Sequence, residues 1–171
     1  RDPIHALIYR RVDYLAVLSR TMKRNLATTL PIEEKKLRVV NLGIDLEKFN
    51  PAKIDGRARR KEWGIPEDAF LLGVVGRLDP MKGQDLVVKA LARLRQKHSN
   101  LYAVMVGNET PGLDGEYIRE LQDSNQQLRL SDVLKVLPAV DDVEKSIAAL
   151  DCFEMPSWSE AFGLVALEAM A

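Results

Sequence analysis

The 171-residue chain balances 25 Lys and Arg against 25 Asp and Glu, is 46% apolar and carries one cysteine. Zero net charge removes the electrostatic drive toward nucleic acid or an anionic membrane, and a single Cys allows no internal disulfide. The longest apolar runs, Phe70–Gly76 and Leu101–Gly107, fall far short of a bilayer span, and no charged-then-apolar leader opens the chain, so the expectation is a soluble, cytoplasmic α/β protein.

Ile4, Leu7, Ile8 and Val12 open the chain in an amphipathic pattern, with no initiator Met ahead of Arg1. Tyr14–Ser19 is a short apolar run, and Thr21–Thr29 after it reads as a helix capped by Ser19 or Thr21 and stopped by Pro31. Leu37–Leu42 reads as a strand, Gly43–Pro51 as irregular chain, and Arg57–Trp63 as a polar helix followed by a turn at Gly64–Pro66. Charge rises and β-branched residues thin out here, which predicts an interdomain linker over residues 43–69. From Phe70 a strand–helix alternation sets in. Strands are expected at Phe70–Val75, Leu101–Val106, Val133–Leu137 and Cys152–Met155. Helices are expected at Gln84–Lys97 (apolar at Leu86, Val87, Ala90, Leu91 and Leu94), at Glu116–Asn125 (Tyr117, Ile118 and Leu121 inward), around Val143–Leu150, and from Gly163 to Ala171. Such an order implies a Rossmann-like, doubly wound parallel sheet, with ligands bound beyond the carboxyl ends of its strands. The last helix runs to Ala171 without a stop signal, so the chain is expected to be part of a longer protein, with this domain truncated.

The loops at those strand ends carry the chemistry. Gly76-Arg77-Leu78-Asp79-Pro80-Met81-Lys82-Gly83 sets two cations around a proline turn ahead of a helix. That composition suits a phosphate or diphosphate, and it fits a solvated basic loop equally well. Pro156-Ser157-Trp158-Ser159-Glu160-Ala161-Phe162-Gly163-Leu164 follows the fourth strand, with Glu168 further on. Carboxylates so placed suit hydrogen bonds to vicinal hydroxyls; taken by themselves they read as a helix-end charge and a surface pair.

As a set, Gly76-Arg77-Leu78, Lys82-Gly83, Pro156-Ser157, Glu160-Ala161-Phe162-Gly163-Leu164 and Glu168-Ala169-Met170-Ala171 resemble the retaining glycosyltransferases of family GT4, which have the two-domain GT-B architecture. Val17-Leu18-Ser19 and Val39–Asp45 with Phe49-Asn50-Pro51 are similar to the segment joining the two domains, so the resemblance runs over nearly the whole chain. It implies that residues 1–42 are the tail of an N-terminal acceptor domain, 43–69 the linker, and 70–171 an incomplete C-terminal donor-binding domain. The chain departs from the family pattern at Leu42-Gly43, where Asn-Gly is usual, and at Ala161, where Gly is usual.

The resemblance further implies that Arg77 and Lys82 hold the diphosphate of a UDP- or GDP-sugar and stabilise it as leaving group, in place of a metal. Glu160, with Phe162, Gly163 and Leu164, is implied to contact the donor sugar and its phosphates. Gly76 belongs to the same donor loop, Glu168 is implied to bind the ribose, and Pro138–Val140, with Val140 among the donor-binding residues, to lie along the base. No Asp-x-Asp metal motif is present; Asp114-Gly115-Glu116 comes nearest and reads as loop. The implied function is transfer of a hexose, with retention, to a glycan or lipid-linked acceptor. The full-length protein would be cytoplasmic or peripheral at the inner membrane, and this chain by itself would bind donor without turnover. Two other readings are an NAD-dependent oxidoreductase and a non-catalytic nucleotide-binding module. The first needs Gly-x-Gly-x-x-Gly at the first turn, but Gly73-Val74-Val75-Gly76 lies largely within the strand and the turn holds Arg77 and Lys82. His5 and His98 read as structural or solvated, Cys152 as core, Trp63 as an anchor for the linker helix, and Arg57, Arg59, Arg60 and Lys61 as a solvated helix face.

Overall fold

The computed structural model describes residues 3–171; Arg1 and the side chain of His5 lie outside the described residues. The chain falls into two units, one formed by the chain up to Ile44 with Glu160–Leu164, the other by Asp45–Ser159 with Val165–Ala171.

In the first unit, α1 (Pro3–Arg10) precedes β1 (Leu15–Val17), α2 (Arg20–Thr29) and β2 (Leu37–Val39). The two strands pair in parallel, Leu15 opposite Leu37 and Val17 opposite Val39. Ser19 is the cap of α2: its hydroxyl accepts the Met22 amide at 3.0 Å, which satisfies one of the donors a helix start leaves unpaired. The helix stops at Thr29 because Leu30, ahead of Pro31, is pushed to extended geometry. Val17, Ile32 and Leu37 form the small core, joined by Tyr9 and Val12. The apolar stripe Ile4, Leu7 and Ile8 of α1 faces outward instead.

The second unit contains α3 (Arg57–Glu62), β3 (Phe70–Val75), α4 (Gln84–Leu94), β4 (Leu101–Val106), α5 (Glu116–Gln127), β5 (Leu134–Leu137), α6 (Val143–Ala148), β6 (Cys152–Phe153) and α7 (Leu164–Met170, from Val165 onward). Its four strands are all parallel, in the order β5-β4-β3-β6. The chain steps outward from β3 to β4 to β5, then returns to the other side of β3, the reversal that defines a doubly wound sheet. Because side chains alternate along a strand, β3 and β4 feed two cores. Leu72, Val74, Ala103 and Met105 meet Val87, Val88 and Leu91 of α4 and Tyr117 and Leu121 of α5. Leu71, Val75, Val104 and Val106 meet Trp63, Ile65, Ala69 and Ala149, with Val143, Ile147 and Val165 against them.

Several expectations need correction. The segment 43–69, expected to join two domains, packs with the second unit from Asp45 onward. Trp63, Ile65 and Ala69 are buried on the sheet, and Arg60 donates to the carbonyls of Ala149 at 2.6 Å and Ala69 at 3.0 Å. The basic run on α3 is not wholly solvated: Arg59 is buried, and Arg60 pairs with Asp151 at 2.7 Å. The fourth strand stops at Phe153, and Cys152 is only half-buried because β6 lies at the end of the sheet. Phe70 is half exposed, and α4 buries Gln84, Val87, Val88 and Leu91 while Leu86 and Leu94 lie outward. Among the described residues no helix is long and apolar enough to cross a membrane.

Candidate functional site

The carboxyl ends of β3, β4 and β5 meet around a cleft of about 430 Å³ whose walls include Gly76, Arg77, Asn108, Glu109, Ala139 and Val140. The strand ends approach so closely that a Cβ at Gly107 would fall on the carbonyl oxygen of Gly76. Gly76 has φ +142°, which lets the chain leave β3 in a direction few other residues tolerate. The loops are then tied to one another. Asn108 Oδ1 accepts the Ala139 amide at 3.1 Å, joining the loops after β4 and β5. Leu78, wholly buried, bridges to Glu109: its N–H donates to Asn108 at 2.9 Å and its carbonyl accepts from Thr110 at 3.0 Å. The Glu109 carboxylate turns back to cap α5, accepting the amides of Gly115 and, at 3.0 Å, Ile118.

Asp79 stands between the two predicted cations in sequence and starts the short helical turn Pro80–Lys82, with Pro80 in the position proline favours. Its carboxylate accepts the Thr110 hydroxyl at 2.7 Å and the Met81 amide at 2.9 Å. These two bonds, in that order, hold its pKa below the ordinary carboxylate value, and the charges of Arg77 and Lys82 add to the effect. Gly83 follows at φ +69°, and a Cβ there would collide with the carbonyl oxygen of Pro156. The Trp158 amide donates to Met81 at 2.9 Å, so the first residues after β6 pack against this turn.

Of the residues expected from sequence, Gly76, Arg77 and Val140 line the cleft, Arg77 exposed and Val140 half-buried. Lys82 ends the helical turn, half-buried. Glu168 sits on α7, where burial raises its pKa and the nearby charge of Lys48 partly offsets that. Glu160, Phe162, Gly163 and Leu164 belong to the first unit; Glu160 is exposed, and Gly163 has φ +79°. The sequence reading missed Asp79, Gln84, Asn108, Glu109 and Thr110. Asp79 directly before Pro80 was a visible helix-start signal, whereas the other four carry no local pattern. His98 is exposed, as is Trp158 at 69%. Among the described residues, no group of three or more His, Cys, Asp or Glu could hold a metal ion.

Residues 55–171 match the family described as Glycosyl transferases group 1. The D-inositol 3-phosphate glycosyltransferase of Salinispora arenicola is 34% identical over 176 residues, covering 96% of this chain and 39% of that protein. Among solved structures, Anabaena HepE in complex with UDP and glucose matches with a TM-score of 0.84 at 26% identity, over 97% of this chain and 44% of HepE. WaaG, a glycosyltransferase involved in lipopolysaccharide biosynthesis, matches with a TM-score of 0.77 at 25% identity, over 96% of this chain and 45% of WaaG. The chain thus spans about two-fifths of the length of the relatives it matches.

Proposed function

The chain belongs to the group 1 glycosyl transferase family, and from that premise we propose that the full-length protein transfers a hexose, with retention, from a nucleoside-diphosphate sugar to a glycan or lipid-linked acceptor. One observation carries this reading: the cleft at the carboxyl ends of three parallel strands, with Gly76 and Arg77 in its wall. UDP is the preferred base carrier, since HepE, matched over nearly all of this chain, binds UDP. Arg77 and Lys82 receive the diphosphate. As the bond to the sugar breaks, negative charge builds on the departing phosphate, and cations already fixed in place stabilise it without reorganising. That work is otherwise a divalent metal's, so none is required. Val140 lies along the base and Glu168 accepts the ribose hydroxyls. The protein works in the cytoplasm, at the membrane surface where the acceptor is a lipid. The present chain, which spans about two-fifths of the length of its relatives, is expected to bind donor without turnover.

The test is calorimetric titration of the full-length protein and of this chain with UDP, GDP, ADP and NAD, without divalent metal, repeated on Arg77→Ala and Lys82→Ala. UDP binding that is weakened in both variants is expected. NAD binding that survives both would overturn the reading in favour of an oxidoreductase.

A further inference from the structure

Gln84 is the first residue of α4, a position where helices ordinarily show polar side chains to water, yet it is wholly buried. Its Nε2 donates to the carbonyl of Arg77 at 2.8 Å, and its Oε1 lies 3.5 Å from the backbone nitrogen of Asp79, a long contact. The amide thus grips the main chain on both sides of Leu78. Leu78 is itself sealed from solvent and uses its own N–H and C=O to hold Asn108 and Thr110. A buried primary amide is tolerated only where its polar atoms are paired, whereas a methionine of similar length would fill the space without that requirement. What the amide adds is a fixed orientation for the peptide from which the Arg77 side chain departs. Asp79 braces the same loop from the far side, through the Thr110 hydroxyl at 2.7 Å and the Met81 amide at 2.9 Å. The helical turn held in this way ends at Lys82.

Resting on the donor-site reading above, we propose that Gln84, with the Asp79–Thr110 pair, is a positioning device for the diphosphate. None of the three touches the ligand. Together they fix the main chain that carries Arg77 and Lys82, so that neither cation has to be ordered when the diphosphate arrives. The base wall at Ala139 and Val140 has a bond of its own, from the Ala139 amide to the Asn108 side chain, which neither Gln84→Met nor Thr110→Val removes. Loss of the brace is therefore felt by the diphosphate and not by the nucleoside.

The experiment measures binding of UDP by calorimetry and of uridine by ligand-observed NMR, on the full-length protein, for the wild type, Arg77→Ala, Gln84→Met and Thr110→Val. Gln84→Met is expected to weaken UDP by about three- to tenfold, the worth of one or two hydrogen bonds, and to leave uridine unchanged. Thr110→Val keeps the side-chain shape, deletes the hydroxyl and is expected to act in the same direction, which keeps the test open if Gln84→Met does not fold. Equal weakening of UDP and uridine would make the brace purely structural, and unchanged UDP binding would remove it from the site; either result overturns the proposal. A wild type that binds no UDP, or UDP binding untouched by Arg77→Ala, would instead overturn the donor-site reading, and this proposal with it.

Discussion

The two faces of the four-stranded sheet are covered by different means. On one, α4 and α5 run 11 and 12 residues, long enough for an apolar stripe, and the contact is made by Val87, Val88, Leu91, Tyr117 and Leu121. On the other, α3 and α6 have six residues each, too short to present such a stripe over several turns. There Trp63 and Ile65 supply the apolar cover, and two arginines fasten it. Arg59 pairs with Asp142, and with Glu62 at 2.8 Å, while Arg60 pairs with Asp151 at 2.7 Å. One face is held by non-directional burial and the other by directed bonds at the ends of short elements. Asp142 lies two residues beyond Val140, so the directed bonds also anchor the loop that forms one wall of the cleft.

The sharpest way to break this comparison is Leu91→Ala, which empties a wholly buried position at the centre of the first face. The lost transfer energy and the cavity left behind should cost about 3 kcal/mol, read from urea unfolding of the chain. Arg59→Met should cost less, about 1–2 kcal/mol, although Arg59 is as buried as its apolar neighbours. The reason is that Asp142 stays about a third exposed and keeps Lys145 at 3.1 Å, so the abandoned carboxylate is not left alone in the interior. Pairing Arg59→Met with Asp142→Asn should destabilise by less than the sum of the two single variants. Strict additivity would show that Arg59 acts through packing on Trp63, over whose ring its guanidinium lies at 5.8 Å, and not through the ion pair.

The same contrast decides what was legible in the sequence. The strands Phe70–Val75 and Leu101–Val106 were readable to the residue, because a strand covered on both faces is a continuous apolar run between breaks in pattern. Tyr117 and Leu121 were legible as the inward side of α5 from periodicity alone. The clipped face was not. Arg57–Lys61 has the composition of a solvated face, and nothing local distinguishes the arginine that reaches a partner 83 residues away. At the cleft, Gly76, Arg77 and Val140 stand in the wall, and it is the family pattern, not periodicity, that singles them out in the sequence. Gln84 was invisible for the opposite reason to a core leucine: polarity argues for exposure, and only the geometry of the preceding loop places its amide against the Arg77 carbonyl.

A smaller effect comes from pH, and it tests the brace between the loops. The folded-state pKa of Asp79 is held below its ordinary value, first by Thr110. In the window between the folded and unfolded pKa values the unfolded chain binds more protons, so stability rises with pH there. The contribution is complete above the ordinary value of 3.8 and is lost as pH falls through the lower folded value. Thr110→Val should therefore shrink the stability slope in acid, costing most above the ordinary value, where the bond to the ionised carboxylate is complete, and least below the folded value. An unchanged acid slope would mean that the Met81 amide alone sets the Asp79 carboxylate.

The smallest effect is expected two residues before Arg59, at Arg57, and a null result there is informative. Both arginines lie on α3 and both pair with a carboxylate, Arg57 with Asp55 at 3.1 Å. The Arg57 side chain is 87% exposed and that of Asp55 62%, so water solvates each charge as well as the partner does. Asp55 keeps its more useful bond after Arg57→Ala, because the acceptor of the residue 57 backbone amide at 2.9 Å is the carboxylate itself and does not depend on the side chain. Arg57→Ala should leave the thermal midpoint where it is, while Arg59→Met lowers it. If both fell alike, the basic run would act as one electrostatic patch, and burial would no longer explain why one face of the sheet needs a clip.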